Sequence, residues 1–336
     1  VCDETTAATT CPYCGNPTVL GGKLSGKLKP EYILPFKLDK KTAIAHLTRY
    51  YKGKAFLPKA FKNQNHIAEI QGVYVPFWLY DAKADARGRY EGQNSESHRE
   101  GDYMVTTTQH YDVRREGSAA FTKVPVDGSS KMPNTHMDAI EPFDYGDLKP
   151  FSTAYLPGYL ADRYDEDADA CAERAYRRMY NSTADALHAT TGGYSEIHPH
   201  FPENINVDMT HAHYALLPVW MLHTRWKDKD FLFAMNGQTG KLVGDLPVSA
   251  FKVIAWFAGV FAVALAVVTA AIMGLDLLAD DAELRIAAQY GIPVLVAGFV
   301  CLVFYSQMKT ANEATQANAF MQSETFDLDE ESDTFT

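Results

Sequence analysis

Cysteine is scarce in this chain of 336 residues: Cys2, Cys11, Cys14, Cys171 and Cys301 make an odd count without paired spacing. That excludes a disulfide-stapled fold and suits a reducing compartment. Lysine and arginine are absent from residues 310–336, which carry seven acids. Over the whole chain 31 Lys and Arg face 42 Asp and Glu, a net of −11, which excludes a uniformly basic nucleic-acid coat. The charge is uneven. Residues 1–62 hold eleven basic residues against four acids, a net of +7, so a small basic N-terminal module stays open. Charge of either sign is missing from 253–275 and again from 286–306.

What is present is a folded composition, with 46% hydrophobic and 22% charged residues, enough apolar material for a core. The two uncharged runs, VIAWFAGVFAVALAVVTAAIMGL and IAAQYGIPVLVAGFVCLVFYS, each cover the roughly 30 Å hydrocarbon layer at about 1.5 Å per residue. Neither has a polar face, as a core helix of a soluble domain normally does. They are expected to be a transmembrane helix hairpin over 251–306. Trp256 and Tyr305 lie near span ends, where amphipathic rings favour the headgroup layer. Acids fill the linker (Asp276, Asp280, Asp281, Glu283), while Arg225, Lys227, Lys229, Lys241, Lys252 and Lys309 flank the outer ends. By the positive-inside bias, both termini and the main domain are expected in the cytoplasm, as a two-pass protein of the cell membrane. The chain opens on Val and polar residues with no signal-peptide pattern, so the hairpin is expected to be the anchor. The acidic tail TFDLDEESDTFT reads as solvated and disordered over 307–336.

Cys171 falls on an amphipathic segment and Cys301 inside a span; both read as buried apolar groups. Cys11-Pro12-Tyr13-Cys14-Gly15-Asn16 is different. Two thiolates at i and i+3 in a tight turn form one knuckle of a zinc ribbon, and Cys11 and Cys14 are the expected metal ligands. A tetrahedral Zn2+ site needs four; Cys2, nine residues upstream, is a candidate third ligand, though alone it is not a second knuckle. Because the chain starts with Val, a partner Cys-x-x-Cys is expected ahead of it.

Around the knuckle stand VCDETTAATTCPYCGNP, LKPEYILPFKLDKKTA, GVYVPFWLYDA, VPVDGSSKM, TAYLPGYLADRYD, YALLPVW and FAMNGQTGKLVGDLP. From Val1 to the first span this text resembles bacterial membrane-anchored proteins described as transcription-factor-IIB-type zinc-ribbon-containing, some labelled by similarity as primosomal or helicase-related. The resemblance implies that Cys11 and Cys14 are the second pair of a four-cysteine site and that Cys2 is not a ligand. It carries little function with it.

Five segments follow: 1–30, a truncated zinc ribbon with a basic linker; 31–150, a first α+β unit with a β-rich insert; 151–248, a second α+β unit; the hairpin at 251–306; and the tail. In the first unit Tyr32 to Phe36 reads as a strand, and a helix starts after the N-cap Asp39, with Ala43, Leu47, Tyr50 and Tyr51 on one face and Gly53 closing it. Residues 72–80 read as extended, turning through ADARGRYEG. In the insert, alternation from Tyr103 to Val113 predicts a strand that turns at Glu116-Gly117. In the second unit 154–160 reads as a strand, 165–190 as a helix carrying Ala168, Cys171, Ala175 and Met179, and 214–226 as extended. Asn236-Gly237 predicts a hairpin turn. VYVPFW at 73–78 aligns with ALLPVW at 215–220, which suggests an internal duplication of a strand, helix and hairpin unit.

Other motifs weaken on inspection. Residues 21–28, GGKLSGKL, match a phosphate-binding loop until Leu28 replaces the hydroxyl that holds magnesium; a basic linker is the expectation. His198 with His200, and His211 with His213, are spaced for one strand face but lack a third ligand, and read as solvated loop histidines. Asp165, Asp167 and Asp169 mimic a calcium loop but read as an acid-rich helix start. Asp127-Gly128-Ser129-Ser130-Lys131 reads as a turn. Trp78, Trp220 and Trp226 read as core aromatics. No catalytic residue emerges. The expected function is that of a non-enzymatic adaptor or scaffold with a protein partner at the inner face of the membrane; the alternative is a membrane-tethered nucleic-acid-binding protein in which the +7 segment contacts phosphates.

Overall fold

The computed structural model describes residues 4–10, 17–20, 24–64, 67–274, 282–322 and 326–336. Its strands are β1 (Thr6–Thr10), β2 (Pro17–Val19), β3 (Tyr32–Ile33), β4 (Gln71–Glu100), β5 (Tyr103–Asp127), β6 (Lys149–Pro150), β7 (Leu160–Asp162), β8 (Glu196–Pro199), β9 (Asn204–Trp226), β10 (Lys229–Asn236), β11 (Leu242–Gly244) and β12 (Asp327–Phe335). The helices are α1 (Lys40–Tyr50), α2 (Lys59–Gln64), α3 (Asn134–Ala139), α4 (Ala168–Ala189), α5 (Ala250–Gly274) and α6 (Ala282–Ser306). The fold is mixed α+β: twelve strands among the described residues join one sheet, whose main path runs β11-β10-β9-β4-β7-β1-β2.

The long strands differ from the sequence reading. ADARGRYEG does not turn. Ala82, Ala84 and Ala86 point inward and are buried, while Lys83, Asp85 and Arg87 are exposed, the period-two pattern of a continuing strand. The small alanines leave room for α4, whose Cys171, Ala175 and Met179 pack in the same cluster. Glu116-Gly117 does not turn either. The turn comes at Gly101, where φ is +65°, and β4 and β5 pair from Phe77↔Asp127 to Glu100↔Tyr103. Among the described residues, 95–100 and 103–108 pair only with each other, so the hairpin ends as a free two-stranded arm. Its tip exposes Tyr103 and Met104. The strand expected at 154–160 lies later, at β7; a 3₁₀ turn occupies Thr153–Tyr155, where Ser152 accepts from Ala154 N.

The units expected at 31–150 and 151–248 do not separate, because each completes the other about a local two-fold axis. Val75 lies opposite Leu217, Tyr74 opposite Pro218 and Pro76 opposite Leu216. β3 adds parallel to β9, with Tyr32 against Ala215, and β7 adds parallel to β4, with Leu160 against Val73. Each helix likewise packs on the other unit's strands or its own in matching fashion: α1 buries Ala43, Leu47 and Tyr51 among Trp220, Leu222, Phe233 and Met235, and α4 packs against Tyr80, Phe121, Val124 and Val126.

The joints repeat atom for atom. Asp39 accepts from Thr42 N and Asp167 from Ala170 N, capping the two helices. Just before each cap a carbonyl receives an indole: Trp220 Nε1 donates to Leu38 O (3.1 Å), and Trp78 Nε1 to Glu166 O (3.0 Å). Gly237 N donates to Pro218 O and Gly128 N to Pro76 O. Gly237 O then accepts from Lys37 and Leu38, as Gly128 O does from Asp165 and Glu166.

The acidic tail is not disordered. After α6 the chain returns over the body, buries Met308, Ala317 and Phe320, and ends in β12, antiparallel to β5 from Asp327↔Ser118 to Phe335↔Tyr111. Composition argues for solvation, but Arg115 of β5 offers Glu331 and Asp333 a partner.

Helices α5 and α6 are long and apolar enough to cross a membrane. They pack on each other, with Gln289 Nε2 donating to Thr269 Oγ1 (3.1 Å) and Trp256 edge-on to Phe304. Their other faces are exposed, which is compatible with lipid as their surroundings. At the body, Phe56 touches Phe304, Ser249 N donates to Phe56 O, Leu246 N donates to Met308 O, and Lys54 Nζ donates to Gln307 O (2.6 Å).

Candidate functional site

The expected metal ligands Cys11 and Cys14, and Cys2, lie outside the described residues. The strands that flank the first two are described. Thr10 of β1 pairs with Pro17 of β2. β1 is fastened to β7 by Thr6↔Asp162 and Ala8↔Ala161, and Ala7 and Ala8 are buried beside Tyr74 and Tyr214. The β1–β2 pair is thus set at one end of the sheet path, and β11, which leads into α5, stands at the other.

Among the described residues no group of three or more His, Cys, Asp or Glu is placed to hold a metal ion. Cys171 is buried, and burial pushes its thiol up to about 12, an inert group. Cys301 lies partly buried on α6. The histidines lie on or beside strands rather than in free loops. His198 is exposed on β8 with Glu196 at 3.7 Å, and His200 N donates to Arg89 O just beyond it. His213 on β9 bridges Glu31 (2.8 Å) and Asp81 (3.6 Å), while His211 beside it is exposed.

The remaining motifs fall as structural features. Gly26–Leu28 is a 3₁₀ turn followed by extended Lys29, with no helix to cradle a phosphate. Asp165 receives Ser130 N (2.8 Å) and Ser130 Oγ (2.6 Å), closing the turn after β5. Trp220 is buried, Trp78 half-buried, and Trp226 packs edge-on to Phe61.

The densest buried charge is a cluster that sequence reasoning missed. Arg174 NH2 meets Asp127 Oδ1 (2.9 Å) and Asp138 Oδ1 (3.1 Å). One turn on, Arg178 forks onto Glu141 through NH2 (2.5 Å) and NH1 (3.2 Å), and also donates to Pro125 O and Gln316 O. Lys241 Nζ caps Glu141 O, and Ala314 N donates to Asp138 Oδ2 (3.1 Å). The cluster therefore ties α4, α3, the end of β5 and the return segment together beside a cavity of about 150 Å³.

Two guanidiniums serve three buried carboxylates here, and desolvation outruns pairing. Asp127 is pushed up to about 6 and Glu141 to about 7, both chiefly by burial, and Asp138 is raised for the same reason. Asp127 Oδ2, buried and unpartnered among the described residues, is the natural seat for a proton. Chemically the cluster can hold a proton and fix three elements. A signal was available: Arg174 and Arg178 stand at i and i+4 on a helix side otherwise carrying Cys171, Ala175 and Met179, and Asp127-Gly128 takes the place that Asn236-Gly237 holds in the other unit.

The chain is 36% identical over 242 residues to a Bacillus subtilis (strain 168) protein described as "Uncharacterized protein YdjG", a match that covers 72% of this chain and 71% of that one. The chain belongs to the YdjG family. No protein-family model matches it, and no solved structure does. In this YdjG-family protein the β1–β2 pair and the free β4–β5 arm belong to one sheet, and the two apolar helices follow its strand β11.

Basic residues also find a place. Of the eleven in 1–62, seven fall between Lys40 and Lys62, on α1, α2 and the loop between them, whose Phe56 packs on Phe304 of α6. Lys52, Lys59 and Lys62 are exposed there, and Lys252 Nζ donates to Leu57 O. Phe61 of α2 brings Trp226 and Phe231 alongside, and with them Arg225, Lys227 and Lys229 of the β9–β10 turn.

Proposed function

We propose that the chain is a non-enzymatic, membrane-anchored zinc-ribbon protein that serves as an adaptor or scaffold. In this reading α5 and α6 form a two-pass hairpin in the cell membrane, both termini and the sheet are cytoplasmic, and Cys11 and Cys14 are ligands of a Zn2+ ion. The two-fold related units are an internal duplication, and the zinc ribbon is that of the transcription-factor-IIB type. The carrying observation is the sheet path, with α5 and α6 following β11 at one end and β1 and β2, the strands that flank Cys11 and Cys14 in sequence, at the other. A body built so holds a small rigid surface away from the bilayer for a protein partner. The exposed lysines around α2 support the sidedness, since basic residues beside a span favour the cytoplasmic face and its anionic lipids. The same placement weighs against the nucleic-acid reading, because seven of the eleven basic residues that motivated it lie in the 40–62 stretch, part of which packs beside α6.

The test is affinity capture of the full-length protein from detergent-solubilised membranes, with and without nuclease, beside the Cys11→Ser/Cys14→Ser variant and a zinc determination. A protein partner that survives nuclease and is lost with the cysteines, together with zinc, is the expected result. Recovery that vanishes with nuclease would instead favour nucleic acid, and an unchanged partner set in the cysteine variant would remove the zinc hairpin from the docking surface.

A further inference from the structure

Arg115 is the most buried guanidinium on the long hairpin, its side chain 1% exposed. Among the described residues, the carboxylates recorded against it come from the C-terminal strand alone: Asp333 through NH1 (2.5 Å) and NH2 (3.2 Å), and Glu331 (3.2 Å). The rest of its fork is used on carbonyls, Nε on Thr190 O and NH1 also on Arg114 O. Tyr194 Oη donates to the same Asp333 (2.7 Å), and Phe335 lies edge-on to Tyr111. Without β12, the β5 edge would hold an unneutralised guanidinium beside a row of unpaired backbone groups, the two things a strand-accepting edge uses.

The edge is shaped for a close backbone. Gly117 has no Cβ, and one placed there would come within 2.3 Å of Asp327 O and 2.4 Å of the Phe326 ring. Arg87, Arg89 and Arg114 line a groove of about 360 Å³ beside it, with Arg115 and Glu330. Yet the tail fits imperfectly. Its register slips at a bulge between Leu328 and Glu330, and Glu330 stands opposite Glu116, a like-charge pair that costs stability. Eight of its nine residues are exposed, so backbone bonds and charge hold it more than apolar burial does.

We propose that the β5 edge from Tyr111 to Ser118 is a docking site for an acidic, extended segment of a partner protein, adding as a strand with two carboxylates spaced i and i+2 on Arg115, and that the chain's own tail occupies this site in competition. The proposal does not rest on the zinc or adaptor reading.

The test uses the chain in detergent, truncated after Thr325, and a fluorescent peptide of residues 326–336. Saturable binding is expected. It weakens at least tenfold with Asp333→Ala in the peptide or Arg115→Lys in the chain, falls with salt, and is lost with Gly117→Ala. A peptide carrying Glu330→Gln binds more tightly, and the untruncated chain binds several-fold more weakly than the truncated one. Should truncation unfold the chain, the full-length Glu331→Gln/Asp333→Asn variant serves as receptor and is expected to bind the unmodified peptide. A folded receptor that takes up no peptide overturns the proposal. So does binding indifferent to Asp333, or full displacement by inorganic phosphate at the peptide's own concentration, which would mark a simple anion site.

Discussion

Helices α1 and α4 hold the same place in two units related by a local two-fold axis, with the same Asp cap, the same indole bond before the cap and the same glycine amide on a proline carbonyl. They differ in what fills the turn between. In one unit Asn236 does it with a neutral amide, donating to Ile140 O and Pro142 O and accepting from Gln238 and Thr239, while His46 of α1 meets Gly240 O. In the other, Asp127 does it with a charge, and Arg174 stands where His46 does. One backbone geometry thus admits a neutral solution and an ionic one, and the ionic one couples the joint to pH and to the segment returning from the anchor.

The largest break in this symmetry is expected from the arginines. Arg178→Ala or Arg174→Ala strands buried carboxylates and costs about 3–5 kcal/mol, whereas His46→Ala costs about 1 kcal/mol; chemical unfolding of the detergent-solubilised chain followed by tryptophan fluorescence measures both. Next comes the pH dependence. Folding raises Asp127 from 3.8 to about 6 and Glu141 from 4.5 to about 7, so the folded body binds these protons more tightly and their contribution to stability declines as pH rises across those windows. Asp127→Asn with Glu141→Gln is expected to flatten that decline, and a slope unchanged in the double variant would refute the assignment.

Smaller effects test the sameness. Trp78→Phe and Trp220→Phe each remove one indole bond and are expected to cost about 1–2 kcal/mol, alike in both units; a cost confined to one would make the two-fold relation superficial. Asp39→Ala and Asp167→Ala should each lose about 1 kcal/mol of cap stabilisation, read as a matched fall in thermal midpoint.

Much of this body was legible. Asp39, the helical faces of α1 and α4, the Asn236-Gly237 turn, the two apolar runs and the match of Pro76 and Trp78 with Pro218 and Trp220 all follow from spacing. The missed turns share a cause: glycine reads as a local turn signal, whereas here it makes room for a ring or a strand packed against the continuing β-strand. Gly88 and Gly92 stay in β4, each with a tyrosine ring against the missing Cβ, and Gly117 makes room for a strand more than two hundred residues later. The tail differs from its reading for another reason, since composition says nothing of Arg115 beneath it. The arginine cluster was hidden because its three acids come from separate turns.

The order of synthesis gives the two-fold arrangement a further consequence. Helix α4 emerges after the β4 and β5 strands it covers, but α1 emerges well before Trp220, Leu222, Phe233 and Met235, on which Leu47 and Tyr51 come to rest. At about 5–20 residues per second of translation, its apolar side waits on the order of ten seconds for a partner. The strands it needs are completed at Asn236 and Gly244, only a few residues ahead of α5, so the nascent body can close its last joint only as its first apolar helix is being delivered.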